Sequence, residues 1–206
     1  MRVTAQTKLD TDAAIRAAAT RLFAKKGVEA TSTRDIASAA KIAVGTLFNY
    51  YGSKESLALS LVAEAMEVAR GPNEVSAGRT AEEDLFALMA KVLRALAPMR
   101  AHLVEILESG LSPLASASLL PEAARIREIH LADVVAILHS HTFDAAVNSA
   151  TLHLYWALFL AVLSYWATDA SPSQEDTRAL IDQTVRMFVS SLRAPDQRTA
   201  KQVPSM

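Results

Sequence analysis

The chain has no cysteine. That excludes a disulfide framework, a thiol sensor and any cysteine-ligated zinc site, and it is compatible with a reducing cytoplasm, the expected location. Only six of its 206 residues are glycine, and no glycine-rich loop offers a cradle for phosphate. No serine sits in a nucleophile elbow, so catalysis is not expected. The first thirty residues lack a continuous apolar stretch, so no signal peptide is read there. Strand-like alternation is missing throughout, which leaves an all-α fold. Residues 145–168 lack any charged side chain. A membrane span needs about 20 predominantly apolar residues, but Asn148, Ser149, Thr151, His153 and Ser164 interrupt this run. A soluble helix covered by protein on most sides is the better reading.

What is present begins with 51% hydrophobic residues, ample for a buried core. The net charge of −1 hides an asymmetry. Residues 1–54 carry nine Lys or Arg against four Asp or Glu, a balance of +5, whereas residues 55–206 carry twelve against eighteen, a balance of −6. A basic N-terminal module is the electrostatic footprint of phosphate binding.

Residues 33–54, TRDIASAAKIAVGTLFNYYGSK, describe two short helices joined by a tight turn. Ser32 and Asp35 form a capping box, so a helix starts at Thr33 and buries Ile36, Ala37 and Ala40. The turn falls near Lys41 and Ile42. A second helix spans about Val44 to Tyr50, with Leu47 and Tyr51 inward and Val44, Gly45, Thr46, Phe48, Asn49 and Tyr50 open to a partner. This is the layout of a DNA-binding helix-turn-helix.

RDIA, residues 40–42, GTLFNYY, SKESL and the upstream LFAKKGVEATS occur in the order and spacing of the N-terminal signature of the TetR family of bacterial transcriptional regulators, which this chain resembles. The resemblance covers roughly the first sixty residues. It implies an all-helical homodimer with a three-helix DNA-binding head and a larger C-terminal part that senses a small molecule. Of the matching positions, Thr33, Tyr50 and Lys54 suit phosphate, Asn49 an adenine edge and Thr46 a thymine methyl. Ala43, Val44, Gly45 and Phe48 complete the contact face, and Gly45 permits close backbone approach. Arg34 is a further phosphate candidate, with an ion pair to Asp35 or another acid as its alternative. Three residues depart from the pattern. Lys41 stands where glycine is usual, Ala43 where Ser or Thr caps the helix, and Phe48 where tyrosine is usual. Lys41 is itself a candidate DNA contact.

The remaining helices follow from periodicity and caps. The first runs from about Asp12 to Lys26 and ends at Gly27. Another opens at Ser53 and runs to about Arg70, where Gly71-Pro72 breaks it. Thr80 and Glu83 form a second capping box, a shorter helix spans Met99 to about Ser109, and Pro121 opens one that reaches about His139. Helices over 144–168 and 173–193 follow, then a loose tail over 194–206. The domains expected are therefore 1–53 for DNA, 54–193 for effector binding and dimerisation, and the tail. The last two helices, with Leu180, Ile181, Thr184, Val185, Phe188 and Leu192 at helical spacing, are expected to meet the same pair of a second subunit. Two reading helices about 34 Å apart then read a palindromic operator.

In the sensing half, Phe86, Met89, Met99, Leu103, Tyr155, Trp156, Phe159 and Trp166 are candidate walls of a cavity. His102, Glu105 and His153 are its candidate polar anchors. At helical spacing the same residues also serve as core. Sparse charge favours a mostly apolar or aromatic effector. His102 with Glu105, and His139 with His141, are too few for a metal site, and no cofactor is expected. The function expected is a repressor released from its operator by an effector. The alternative is a helical small-molecule- or partner-binding protein with a degenerate reading head.

Overall fold

A computed structural model describes residues 5–70, 78–106 and 121–193, and every regular element among them is a helix. The head comprises α1 (Ala5–Lys26), α2 (Thr33–Ala39) and α3 (Val44–Phe48). The larger part comprises α4 (Lys54–Arg70), α5 (Ala81–Leu96), the single turn α6 (Leu103–Ile106), α7 (Pro121–Ser140), α8 (Ser149–Thr168) and α9 (Glu175–Arg193). The expected breaks at 71–77, the end of the 99–109 helix and the tail lie outside the described residues.

Both capping boxes form. Ser32 Oγ accepts from the Asp35 N–H while the Asp35 carboxylate accepts from the Ser32 N–H, and Thr80 and Glu83 repeat the exchange. Five boundaries differ from the sequence expectation, the first being α3, which ends at Phe48 and not Tyr50, with Asn49 as its C-cap. Helix α1 starts seven residues early, because its first turns are held by local bonds, Gln6 to Asp10 at 2.9 Å and Thr11 to the Thr7 carbonyl at 2.7 Å, and not by an apolar face. Pro98 lacks an N–H and ends the α-helical ladder, so Ala97–His102 is a 3-10 segment before α6. Helix α8 begins at Ser149, not Asp144, because the Asn148 side chain accepts from the N–H of Ala150 and Thr151 at 3.0 Å each. Ser173 and Gln174 sit at φ 51° and 56°, so α9 starts at Glu175.

One hydrophobic core runs from α1 to α9. Helix α4 packs on α5 and α7, and α9 on α5 and α8. Ile181, Thr184, Val185 and Phe188 of α9 are all buried within the protomer. They cover α8, as expected, but are not themselves left over for a second subunit. Helix α8 is long and apolar enough to cross a membrane, yet Tyr155, Trp156, Phe159, Leu160, Val162, Leu163 and Trp166 are buried against protein. Its carboxyl end is closed by Arg100, whose Nε donates to the Trp166 carbonyl at 2.8 Å.

Candidate nucleic-acid interface and regulatory core

The head is braced by one polar hub. Tyr51 is buried, and its hydroxyl donates to Asp12 Oδ1 at 2.6 Å. Asp12 also accepts from Arg16 Nε at 3.2 Å, and Arg16 reaches Glu64 of α4 at 3.0 Å. Burial, then the bond to Asp12, pushes the Tyr51 hydroxyl pKa up, so it remains a donor. With Leu47 also buried, the inward face of α3 is fixed.

The outward face carries the residues assigned to DNA. Gly45, Phe48 and Asn49 are exposed, as are Ala43, Lys41 and Arg34, while Thr33, Val44, Thr46 and Tyr50 are half-buried. Phe48 keeps half its surface in solvent, a large apolar group with no intramolecular reason to be there. A Cβ built on Gly45 meets nothing within 4 Å, so the protein's own packing does not require glycine at this position. Lys41 sits at φ 57°, the left-handed conformation for which glycine is favoured, which accounts for the glycine it replaces. Ala43 provides no side-chain cap to α3. Asp35 does not pair with Arg34. It accepts from Lys26 Nζ at 2.8 Å, and this bond, followed by those from Ser32, lowers its pKa to about 2. Arg34 is left pointing into solvent.

Lys54 has a second role within the chain. Its Nζ donates to the carbonyls of Val28 at 2.9 Å and Glu29 at 2.7 Å, so two of its three donors brace the loop after α1. The same two residues are gripped from the other side. Glu105 Oε2 accepts from the N–H of Val28 at 3.0 Å and of Glu29 at 3.2 Å. Partial burial raises the Glu105 pKa, but the Glu29 N–H, the His102 ring and the Val28 N–H together hold it below the ordinary carboxylate value. Gly27, at φ 81°, lies so close that a Cβ there would sit 2.9 Å from His102 Nδ1 and 3.1 Å from Glu105. Glu105 is therefore a clamp between the two parts of the chain.

The other residues proposed for the cavity separate into five places. Met99 and His102 border an apolar cavity of about 60 Å³ with Phe23 and Ala24 of α1, Leu61 of α4 and Ile106. Phe86 lies in an open groove beside Arg79, Glu83, Asp182, Arg186 and Arg193. Met89, Leu103 and Trp166 are fully buried in the core, and His153 is exposed on α8 and anchors nothing within the protomer. Tyr155, Trp156 and Phe159 gather around a residue that sequence reasoning passed over, His130. Its ring centroid is 3.9 Å from that of Phe159, 5.6 Å from that of Tyr155 and 6.2 Å from that of Trp156. His139 and His141 do not converge: the first pairs with Asp144, the second with Asp84 at 2.8 Å.

Comparison with known proteins agrees with this geometry. A family model described as "Bacterial regulatory proteins, tetR family" matches residues 15–61, and one described as "Tetracyclin repressor-like, C-terminal domain" matches residues 85–199, more than half of the chain. The chain belongs to the TetR family. An HTH-type transcriptional repressor of Mycobacterium tuberculosis and an HTH-type transcriptional regulator of Mycobacterium bovis are each 51% identical over 45 residues. Those residues are 22% of this chain and 24% of each relative, so the chain spans about a quarter of the length of the curated relatives it matches. Among solved structures, a TetR transcriptional regulator from Rhodococcus sp. RHA1 superposes with a TM-score of 0.66 at 19% identity, covering 88% of this chain and 99% of that one. The Thermus thermophilus repressor FadR, solved with lauroyl-CoA, gives 0.64 at 20% identity, covering 95% and 100%. These likenesses establish the TetR fold for the region beyond the head.

No sequence motif marks His130, which sits among apolar neighbours on α7. Only its spacing from Ile126 and Val134, four residues to either side, places it on a buried face.

Proposed function

We propose that this protein is a dimeric, sequence-specific DNA-binding regulator, a repressor released from a palindromic operator by a mostly apolar effector. The observation that carries it is the outward face of α3, where Gly45, Phe48 and Asn49 stand exposed on a helix whose inner face is locked. Asn49 offers a donor and an acceptor to an adenine edge, and Thr46 a methyl to thymine. Thr33, Arg34, Lys41, Tyr50 and the remaining donor of Lys54 bind phosphate and set the register. Ala43, Val44, Gly45 and Phe48 form the surface that enters the groove. The binding head spans residues 1–53 and the effector and dimerisation region 54–193. The protein acts in the cytoplasm and is not an enzyme.

The dimer reading rests on a stripe of α8. Leu154, Leu158, Ala161 and Tyr165 recur at the spacing of one helical face, and Leu154 and Tyr165 keep 48% and 43% of their surface in solvent. Met187 of α9, 58% exposed, extends the apolar surface. An effector reading is supported by the fold, which holds lauroyl-CoA in the Thermus thermophilus protein. Induction requires only that the effector favour the dimer arrangement with wrongly spaced reading helices, and a coupling of about 1–3 kcal/mol suffices.

Selection of duplexes from a random library, followed by titration of the winner at two salt concentrations, tests the reading. A palindromic winner whose affinity falls steeply with salt is expected. No enrichment by a folded dimer would instead favour the degenerate reading head.

A further inference from the structure

The interior of the larger part contains polar groups that the fold does not use. His130 is 1% exposed, and among the described residues neither of its ring nitrogens has a hydrogen-bond partner. Tyr155, stacked on it, is fully buried, and its hydroxyl is likewise unpartnered. A polar group left unsatisfied in a protein interior has lost its water and gained nothing in exchange, which destabilises the fold. A leucine and a phenylalanine would fill these positions without that cost. Among the described residues the one other such atom is Glu122 Oε2, whose companion oxygen accepts from the Ser56 hydroxyl, whereas buried Asp84 pairs with Arg79 and His141 and buried Asp169 accepts from Ser171 and Thr177. Two adjacent exceptions in an aromatic nest point to a partner from outside the chain.

His130, but none of the three aromatic rings gathered around it, also lines a cavity. Met66 and Ala69 of α4, Leu88 and Val92 of α5 and Ile129 of α7 form its apolar wall, and Arg70, Lys91 and Asp133 stand at its polar side. The cavity measures about 10 Å³, the room of a single water, so a larger guest enters by displacing side chains. Met66, unbranched and adaptable, is suited to that movement.

We infer that His130 and Tyr155 are the polar anchors of the effector site, and that the effector is a small neutral ring compound bearing one hydroxyl or carbonyl group. This rests on the regulator reading above. The chemistry sets the class. A neutral imidazole presents one donor and one acceptor, and the phenol adds a rotatable hydroxyl, so a single hydroxyl or carbonyl on the guest satisfies the nest. The Phe159, Tyr155 and Trp156 rings pack around His130, so a guest that displaces side chains to reach its ring nitrogens and the Tyr155 hydroxyl is a flat apolar body. A carboxylate is disfavoured. Of the two cations at the cavity, Arg70 donates its Nε to Asp133 at 2.7 Å and Lys91 its Nζ to the Arg70 carbonyl at 2.8 Å, and the buried Asp133 would repel a second acid.

Phenol, cyclohexanone, benzoate and benzene are titrated in turn into the full chain labelled in its five histidines, and the ring carbon–proton signal of His130 is followed by NMR. That signal is assigned as the one lost in His130→Gln. Phenol and cyclohexanone are expected to move it saturably and to raise the Tm. Benzene is expected to bind at least tenfold more weakly and benzoate not to move it. Tyr155→Phe should weaken phenol about tenfold. The titrations use the native protein, so they stand even if a variant folds poorly, with the signal then assigned by its through-space contacts to the Phe159 and Tyr155 rings. The proposal is overturned if none of the four moves the signal, which is the behaviour of a site holding one trapped water. It is also overturned if benzene matches phenol or if benzoate binds best. Duplex selection runs alongside on the same preparation. An operator without any response at His130 sinks the site and leaves the regulator, whereas probe binding without an operator does the reverse.

Discussion

The reading head and the interior of the larger part treat polar groups in opposite ways. In the head the polar groups that shape it are answered from within the chain: Ser32 by Asp35, Asp35 by Lys26, Tyr51 by Asp12, and the Val28 and Glu29 peptides by Lys54 and Glu105. What remains open there, on the outer face of α3, lies in solvent, where an unmade hydrogen bond costs nothing because water supplies it. In the interior, His130 and Tyr155 are unanswered where water is scarce. The head is thus fully formed before it meets a partner, while the interior carries a free-energy deficit that a guest can relieve.

The sharpest way to probe this contrast is acid. Burial lowers the His130 pKa to about 3, well below the ordinary 6.5. Between these values the unfolded chain binds a proton that the folded chain refuses, so stability is full above pH 6.5 and falls as pH drops toward 3, by about 1.4 kcal/mol per pH unit. Replacing His130 by phenylalanine should flatten that part of the stability curve, measured by urea denaturation at pH 7, 6 and 5. An unchanged slope would show that His130 is not held neutral by its surroundings.

A smaller effect is expected on the exposed side of the comparison. Asn49→Ala should relax choice at one base pair of the selected operator, at a cost of about 1–3 kcal/mol, and leave the Tm unchanged. Gly45→Ala should reduce affinity for every duplex without destabilising the fold, because a Cβ there meets no protein atom. Competition binding together with melting curves reads both, and a drop in Tm for either would mean that α3 is not the independent surface described here.

At the junction, Glu105→Ala removes the acceptor of two N–H groups on a partly exposed loop, an expected loss of about 1 kcal/mol in stability. Its carboxylate pKa is lowered in the folded state, so that contribution is present above the ordinary carboxylate range and fades as pH falls through the folded value. Faster amide exchange at Val28 and Glu29 in the variant is the local signature to look for. Least of all, Lys41→Gly should raise stability by up to about 1 kcal/mol by relieving the left-handed backbone, and a lower Tm would contradict the strain assigned there.

Local signals carried most of the fold. The capping boxes at Ser32 and Thr80 and the opening proline at residue 121 are written in three- to four-residue patterns, and each starts a helix where expected. Boundaries failed where a side chain's choice of partner decided the matter, as when Asn148 capped α8 in preference to a continuous helix from Asp144. The outer and inner faces of α3 were legible because five residues of helix admit few ways to bury Leu47.

By itself the sequence determined the all-helical class, the helix-turn-helix with its exposed reading face and the concentration of positive charge at one end, because caps, periodicity and charge act over a few neighbouring residues. Only the tertiary structure decided that Lys54 and Glu105 grip the same loop from two sides, that Met99 and Phe86 lie in different places, and that His130 is sealed among aromatic rings with no hydrogen-bond partner among the described residues. Those outcomes depend on which helices meet, and residues 28 and 105, or 130 and 159, become neighbours only when the chain is packed.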